Sequence, residues 1–121
     1  MKKVYDILLN KIRIGTTKLE NADVPMGVVF GQIDFVDTTS KYTFFRNYCL
    51  ENKIDFEDYP RDKLISTSII PHLTVYEASG YMIKGEGCFI SGMDETKFDI
   101  YIHGITDLLY REEFPHRIKT K

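Results

Sequence analysis

Two cysteines, Cys49 and Cys88, are all that this chain of 121 residues contains. Two are too few for a disulfide framework, and neither has a near partner at metal-site spacing. His72, His103 and His116 stand equally isolated, so the short ligand spacings of a zinc site are missing. The deaminase, zincin, phosphate-loop and serine-elbow patterns are absent as well. The sequence thus presents no catalytic, cofactor or metal motif, and an enzyme is the less favoured reading.

Other absences narrow the classes further. No apolar run approaches the roughly 20 residues of a membrane span. The opening Met1-Lys2-Lys3-Val4-Tyr5-Asp6 is basic, but Asp6 and Asn10 interrupt its apolar run and no small-residue cleavage site follows. No secretory leader and no membrane association are expected, and the cytosol is the default location. An excess of charge is lacking too. The net charge is −2, and residues 1–60 and 61–121 each hold eight basic and nine acidic groups. A nucleic-acid partner is not expected, because phosphate neutralisation needs a basic surplus. The one basic cluster, His116, Arg117, Lys119 and Lys121, reads as a solvated end.

What is present is a strand-rich pattern. Phe98, Ile100 and Ile102 alternate with Asp99, Tyr101 and His103, which gives one apolar and one polar face. Residues 92–97 form the hairpin connection to a preceding strand, Tyr81 to Gly92. There Ile83, Phe89 and Met93 lie on one side, and Cys88 and Ile90 on the other. Gly85 and Gly87 mark close packing or a bulge; no helix follows them, as a phosphate loop would require. Leu73 and Val75 belong to a third strand. Further back, Ile12–Leu19 and Met26–Phe35 suit an antiparallel pair, while Val4, Leu8 and Ile12 with Tyr5 and Leu9 fit a short amphipathic helix. Asp37-Thr38-Thr39-Ser40 signals a helix start. The helix itself runs from about 40 to 53, with Tyr42, Phe45 and Cys49 on one face as core packing. Thr106 to Phe114 fits a short second helix, capped by Thr106 and ended by Pro115. The expectation is a single α+β domain over 1–121: a mostly antiparallel sheet of about five strands with the 40–53 helix packed on one face.

Two stretches are candidates for binding. Asp55, Glu57 and Asp58 flank Phe56 and Tyr59 in a segment that Pro60 keeps from being helical. Asp99, Tyr101 and His103 form the outward face of a strand. Acids beside aromatics suit recognition of a basic protein, since opposite potentials steer encounter. The candidate partner-binding residues are therefore Asp55, Glu57, Asp58, Tyr59, Asp99, Tyr101 and His103. A thiol couple of Cys88 with His103, oriented by Asp99, is the enzymatic alternative, if the hairpin register brings them together. A homo-oligomer pairing through an exposed 97–104 edge strand is a third reading.

The segment Ile14-Gly15-Thr16-Thr17-Lys18-Leu19-Glu20-Asn21-Ala22-Asp23-Val24-Pro25-Met26-Gly27-Val28-Val29-Phe30-Gly31 and the ending Glu113-Phe114-Pro115-His116 resemble small bacterial immunity proteins of polymorphic toxin systems. The resemblance implies an α+β inhibitor that occludes a toxin without catalysis and without a cofactor. It assigns no role to any individual residue.

Overall fold

The computed structural model describes residues 3–37, 39–94 and 96–114. Pro115 and the basic cluster at His116, Arg117, Lys119 and Lys121 lie outside these residues. The chain opens not with a helix but with a hairpin, β1 (Tyr5–Leu9) and β2 (Ile12–Thr17). The helical stripe of Val4, Leu8 and Ile12 competes here with a period-two set. Tyr5, Ile7 and Leu9 are the residues that become buried, whereas Val4 is 47% exposed. A two-residue turn decides the matter. Asn10 and Lys11 both take positive φ, 51° and 69°, the geometry that matches the twist of paired strands.

Then come β3 (Asn21–Asp23), β4 (Val28–Phe35), α1 (Lys41–Glu51), β5 (Phe56–Tyr59) and β6 (Leu64–Thr67). The chain continues with β7 (Leu73–Glu77), β8 (Gly87–Met93), β9 (Phe98–His103) and α2 (Asp107–Glu113). The described residues thus hold nine strands, against an expected five or so, and two helices. All strand pairings are antiparallel, in the order β5-β6-β8-β9-β4-β2-β1-β7, with β3 added on β4. β9 lies inside the sheet, between β8 and β4, so the expected exposed edge at 97–104 does not exist.

The sheet curls until its β7 end returns to the chain entering β8. Ile83 N–H donates to Val75 O at 2.9 Å, and Ile70 N–H to Cys88 O at 2.8 Å. Residues 81–86 are not a continuous strand; only Met82 bridges to Tyr76. The glycines explain why. Ile83 is buried, but so are Cys88 and Ile90, so the alternation changes phase between them. A Cβ on Gly85 would stand 2.5 Å from the carbonyl oxygen of His103, closer than any side chain tolerates.

Inside the curl, Ile7, Val29, Phe45, Ile65, Ile90, Ile100 and Ile102 are fully buried. α1 packs on this side. Its Ser40 cap accepts from Thr43 N–H, and Asp94, from the β8–β9 turn, accepts from Tyr42 N–H at 2.8 Å. Phe45 meets Phe98 and Phe35 at ring centroid distances of 6.0 and 6.2 Å. The helix stops two residues short of the expected boundary, where Lys53 turns to φ 57° and Ile54 N–H caps Cys49 O. α2 opens at Thr106, whose hydroxyl accepts from Leu109 N–H at 3.2 Å. Its end is anchored by Glu113, which accepts from the Tyr5 hydroxyl at 2.7 Å and pairs with Lys3 at 2.9 Å.

Candidate functional site

The register of five strands decides which polar residues meet. Directly opposed residues on neighbouring strands point to the same face. Glu57 opposes Ser66, Ser66 opposes Ser91, Ser91 opposes Asp99, and Asp99 opposes Gln32. One row over, Phe89 opposes Tyr101, and Tyr101 opposes Phe30. In the next row His103 lies between Gly87 and Val28. On the other side of the acidic row, Tyr59 opposes Leu64 and Leu64 opposes Met93. Glu57, Tyr59, Asp99, Tyr101 and His103 therefore share the outer face of the sheet, turned away from α1. At about 4.8 Å per strand, Glu57 and Asp99 stand roughly 14 Å apart across it.

The centre of this face is aromatic. Phe89 and Tyr101 stack at 4.9 Å and 2°, and Tyr101 and Phe30 at 5.0 Å and 15°. The three rings stand in a row with their edges outward, half-buried by one another. Partial burial, with the Asp99 carboxylate nearby, pushes the Tyr101 hydroxyl pKa upward. The surround is acidic. Outward strand positions on β3, β4, β5 and β9 include Asp23, Asp34, Glu57 and Asp99, and among the described residues none on β3–β6, β8 or β9 is Lys or Arg. Lys97 flanks the face and pairs with Asp99 at 3.8 Å. His103 Nε2 lies 3.9 Å from Glu86 Oε1.

No protein-family model, curated protein or solved structure matches this chain.

Not all of the expected site residues join this face. The segment Phe56–Tyr59 is an edge strand, and its alternation divides the acids. Asp58 opposes the buried Ile65 and turns toward α1. There it accepts from the Tyr42 hydroxyl and lies 3.4 Å from Arg46 Nε. The hydrogen bond to Asp58 raises the Tyr42 pKa. Asp58 therefore ties β5 to the helix on the side of the sheet opposite Glu57. Asp55 precedes the strand with its side chain exposed, while its carbonyl accepts from Ser68 N–H at 2.9 Å. Sequence reasoning missed Phe30 and Phe89. Phe89 sits opposite Cys88 in the alternation, which was the available signal; Phe30 is one of several β-formers in an unphased run.

The thiol couple is not assembled. His103 opposes Gly87, while Cys88 opposes Ile102, so Cys88 and His103 point to opposite faces. Burial pushes the Cys88 thiol up to about 12 and the Cys49 thiol up to about 11, the reverse of what a nucleophile needs. Among the described residues no three His, Cys, Asp or Glu side chains are placed to hold a metal ion. No described helix is long and apolar enough to cross a membrane.

Proposed function

We propose that this protein is a non-enzymatic inhibitor of the immunity-protein kind, which docks a basic protein partner on the outer face of β5-β6-β8-β9-β4. The observation that carries this reading is the stack of Phe30, Tyr101 and Phe89, surrounded by acids and free of strand-borne lysine or arginine. Aromatic residues on a rigid sheet supply contact area at small entropic cost, and hot spots are rich in them. The acids Glu57 and Asp99, with Asp55 and Tyr59 at the β5 edge, steer a cationic surface toward that anchor. The buried, protonated thiols and the divided Cys88–His103 pair favour binding over catalysis.

Affinity capture from the native host, followed by association kinetics with the retained protein, tests the proposal. The double variant Glu57→Lys/Asp99→Lys should associate about tenfold or more slowly at low salt, with the difference shrinking as salt screens it. An unchanged association rate in the folded variant removes this face from the site.

A further inference from the structure

On the opposite side of the sheet a cleft of about 390 Å³ opens between the β1–β2 turn, the end of β4 and α1. Its walls include Leu9, Ile12, Ile14, Val36, Phe44 and Tyr48. Ile12 is 68% exposed, Val36 55% and Phe44 40%, so three large apolar side chains remain wetted around one hollow. An irregularity in β2 builds it. The pairing of β1 with β2 shifts between Ile7 and Leu8, so that Ile12 comes to oppose Leu9. Without that extra residue the alternation would turn Ile12 to the outer face. β-Bulges of this kind re-aim side chains beside binding sites.

The charges around the cleft are already paired within the chain. Lys41 is held by Asp37 and lies 5.0 Å over the Phe35 ring, a further wall of the cleft. Arg13 pairs with Asp6 at 3.0 Å. At the far end the Tyr48 hydroxyl donates to Asn10 Oδ1 at 3.2 Å. An ionic ligand would have to compete with these pairs, whereas an apolar one removes Ile12, Val36 and Phe44 from water. The volume lies in the range of small-molecule sites, which are concave and mostly apolar. We infer that this cleft binds a small, neutral, apolar molecule. It lies across the sheet from the acidic face and stands or falls independently of it.

Indole, with its charged relatives indole-3-acetate and tryptamine, supplies the probes. In protein carrying ¹³C-labelled Ile and Val methyl groups, indole should shift the Ile12, Ile14 and Val36 resonances saturably. Both charged relatives should bind about tenfold or more weakly. Val36→Asp, at an exposed position that leaves the fold intact, should weaken indole by a similar factor. The inference is overturned if indole gives no saturable shift up to its solubility. It is overturned equally if a charged relative binds as well, or if Val36→Asp changes nothing. Methyl shifts that depend on protein concentration without probe would mean that a second copy fills the cleft, which also overturns it.

Discussion

The thiols give the sharpest test of whether this chain does covalent chemistry. Cys88 is 5% exposed and Cys49 fully buried. Their pKa values are pushed up to about 12 and about 11 from an ordinary 9.0 by loss of hydration of the thiolate. At pH 8 an ordinary thiol of that pKa is about one-tenth ionised; Cys88 is ionised to about one part in ten thousand. Alkylation by iodoacetamide should therefore be about 1,000-fold slower at Cys88 than at glutathione, and about 100-fold slower at Cys49, before access is considered. Mass spectrometry of a quenched time course reads both sites. Sub-denaturing urea should accelerate the reaction in step with unfolding, because only the open chain exposes the thiols. The same shifts set a pH dependence. The unfolded chain releases thiol protons through pH 9 while the folded chain keeps them, so the unfolded state gains. Stability should fall above pH 9 by up to about 1.4 kcal/mol per pH unit for each thiol, and Cys88→Ala should flatten that slope. Alkylation of native Cys88 within tenfold of glutathione would refute the reasoning and reopen a cysteine nucleophile.

Asp94→Ala should lower the urea-derived stability by about 1–2 kcal/mol, since its carboxylate accepts from Tyr42 N–H at the start of α1; Asp94→Asn should fall between the two. Gly85→Ala should cost about 1–3 kcal/mol, because its Cβ meets the His103 carbonyl. Gly87→Ala should cost less on the same melting assay, because its Cβ meets only the half-exposed Ile69 side chain. Asp37 should titrate at about 2 in a carboxyl-carbon NMR experiment, held down by hydrogen bonds from Lys41 and Thr39. Its contribution to stability is present above the ordinary carboxylate value and is lost as pH falls through about 2. Lys41→Met should return the titration toward 3.8.

The sequence made some elements plain because local physics alone specifies them. Helix α1 has a cap at Ser40 and an aromatic stripe at helical spacing, and both reappear as Ser40 accepting from Thr43 and as buried Tyr42, Phe45 and Cys49. Strand β9 carries an unbroken alternation. The N-terminal hairpin was hidden because its apolar residues satisfy two periods at once. Its turn also lacks the usual Asn-Gly signal, placing Lys11 at φ 69° instead. The strand count fell short for a related reason. β3, β5 and β6 span three, four and four residues, too short for a period to declare itself. The candidate face is harder still. Glu57 and Asp99 are brought onto it only through Ser66 and Ser91, and non-local register is set by the whole sheet, not by either segment. As a strand, 56–59 separates Asp58 from Glu57 by its alternation alone.

The aromatic row poses a question that a single residue can answer. Three stacked rings on a solvated sheet face stabilise the strands themselves, by about 0.5–1.5 kcal/mol per pair beyond their burial. They are equally suited to anchor a partner. Tyr101 is the middle ring and makes both contacts, while Phe30 and Phe89 are not stacked on each other. Tyr101→Thr keeps a strand-forming side chain and should cost about 1–3 kcal/mol of stability from two lost pairs, with Phe30→Thr costing roughly half that. If the row serves stability alone, both variants bind the captured partner with unchanged affinity well below their melting temperatures. If it is the anchor, affinity falls by more than about tenfold in each, at a temperature where circular dichroism shows both fully folded. The second result is the expected one, because the acids around the row lie on the sheet face turned away from α1, whereas Asp58 is engaged by Tyr42 and Arg46 on the helix side. A stability loss with binding intact would leave the face as a cross-strand brace and return the search for the partner surface to the rest of the molecule.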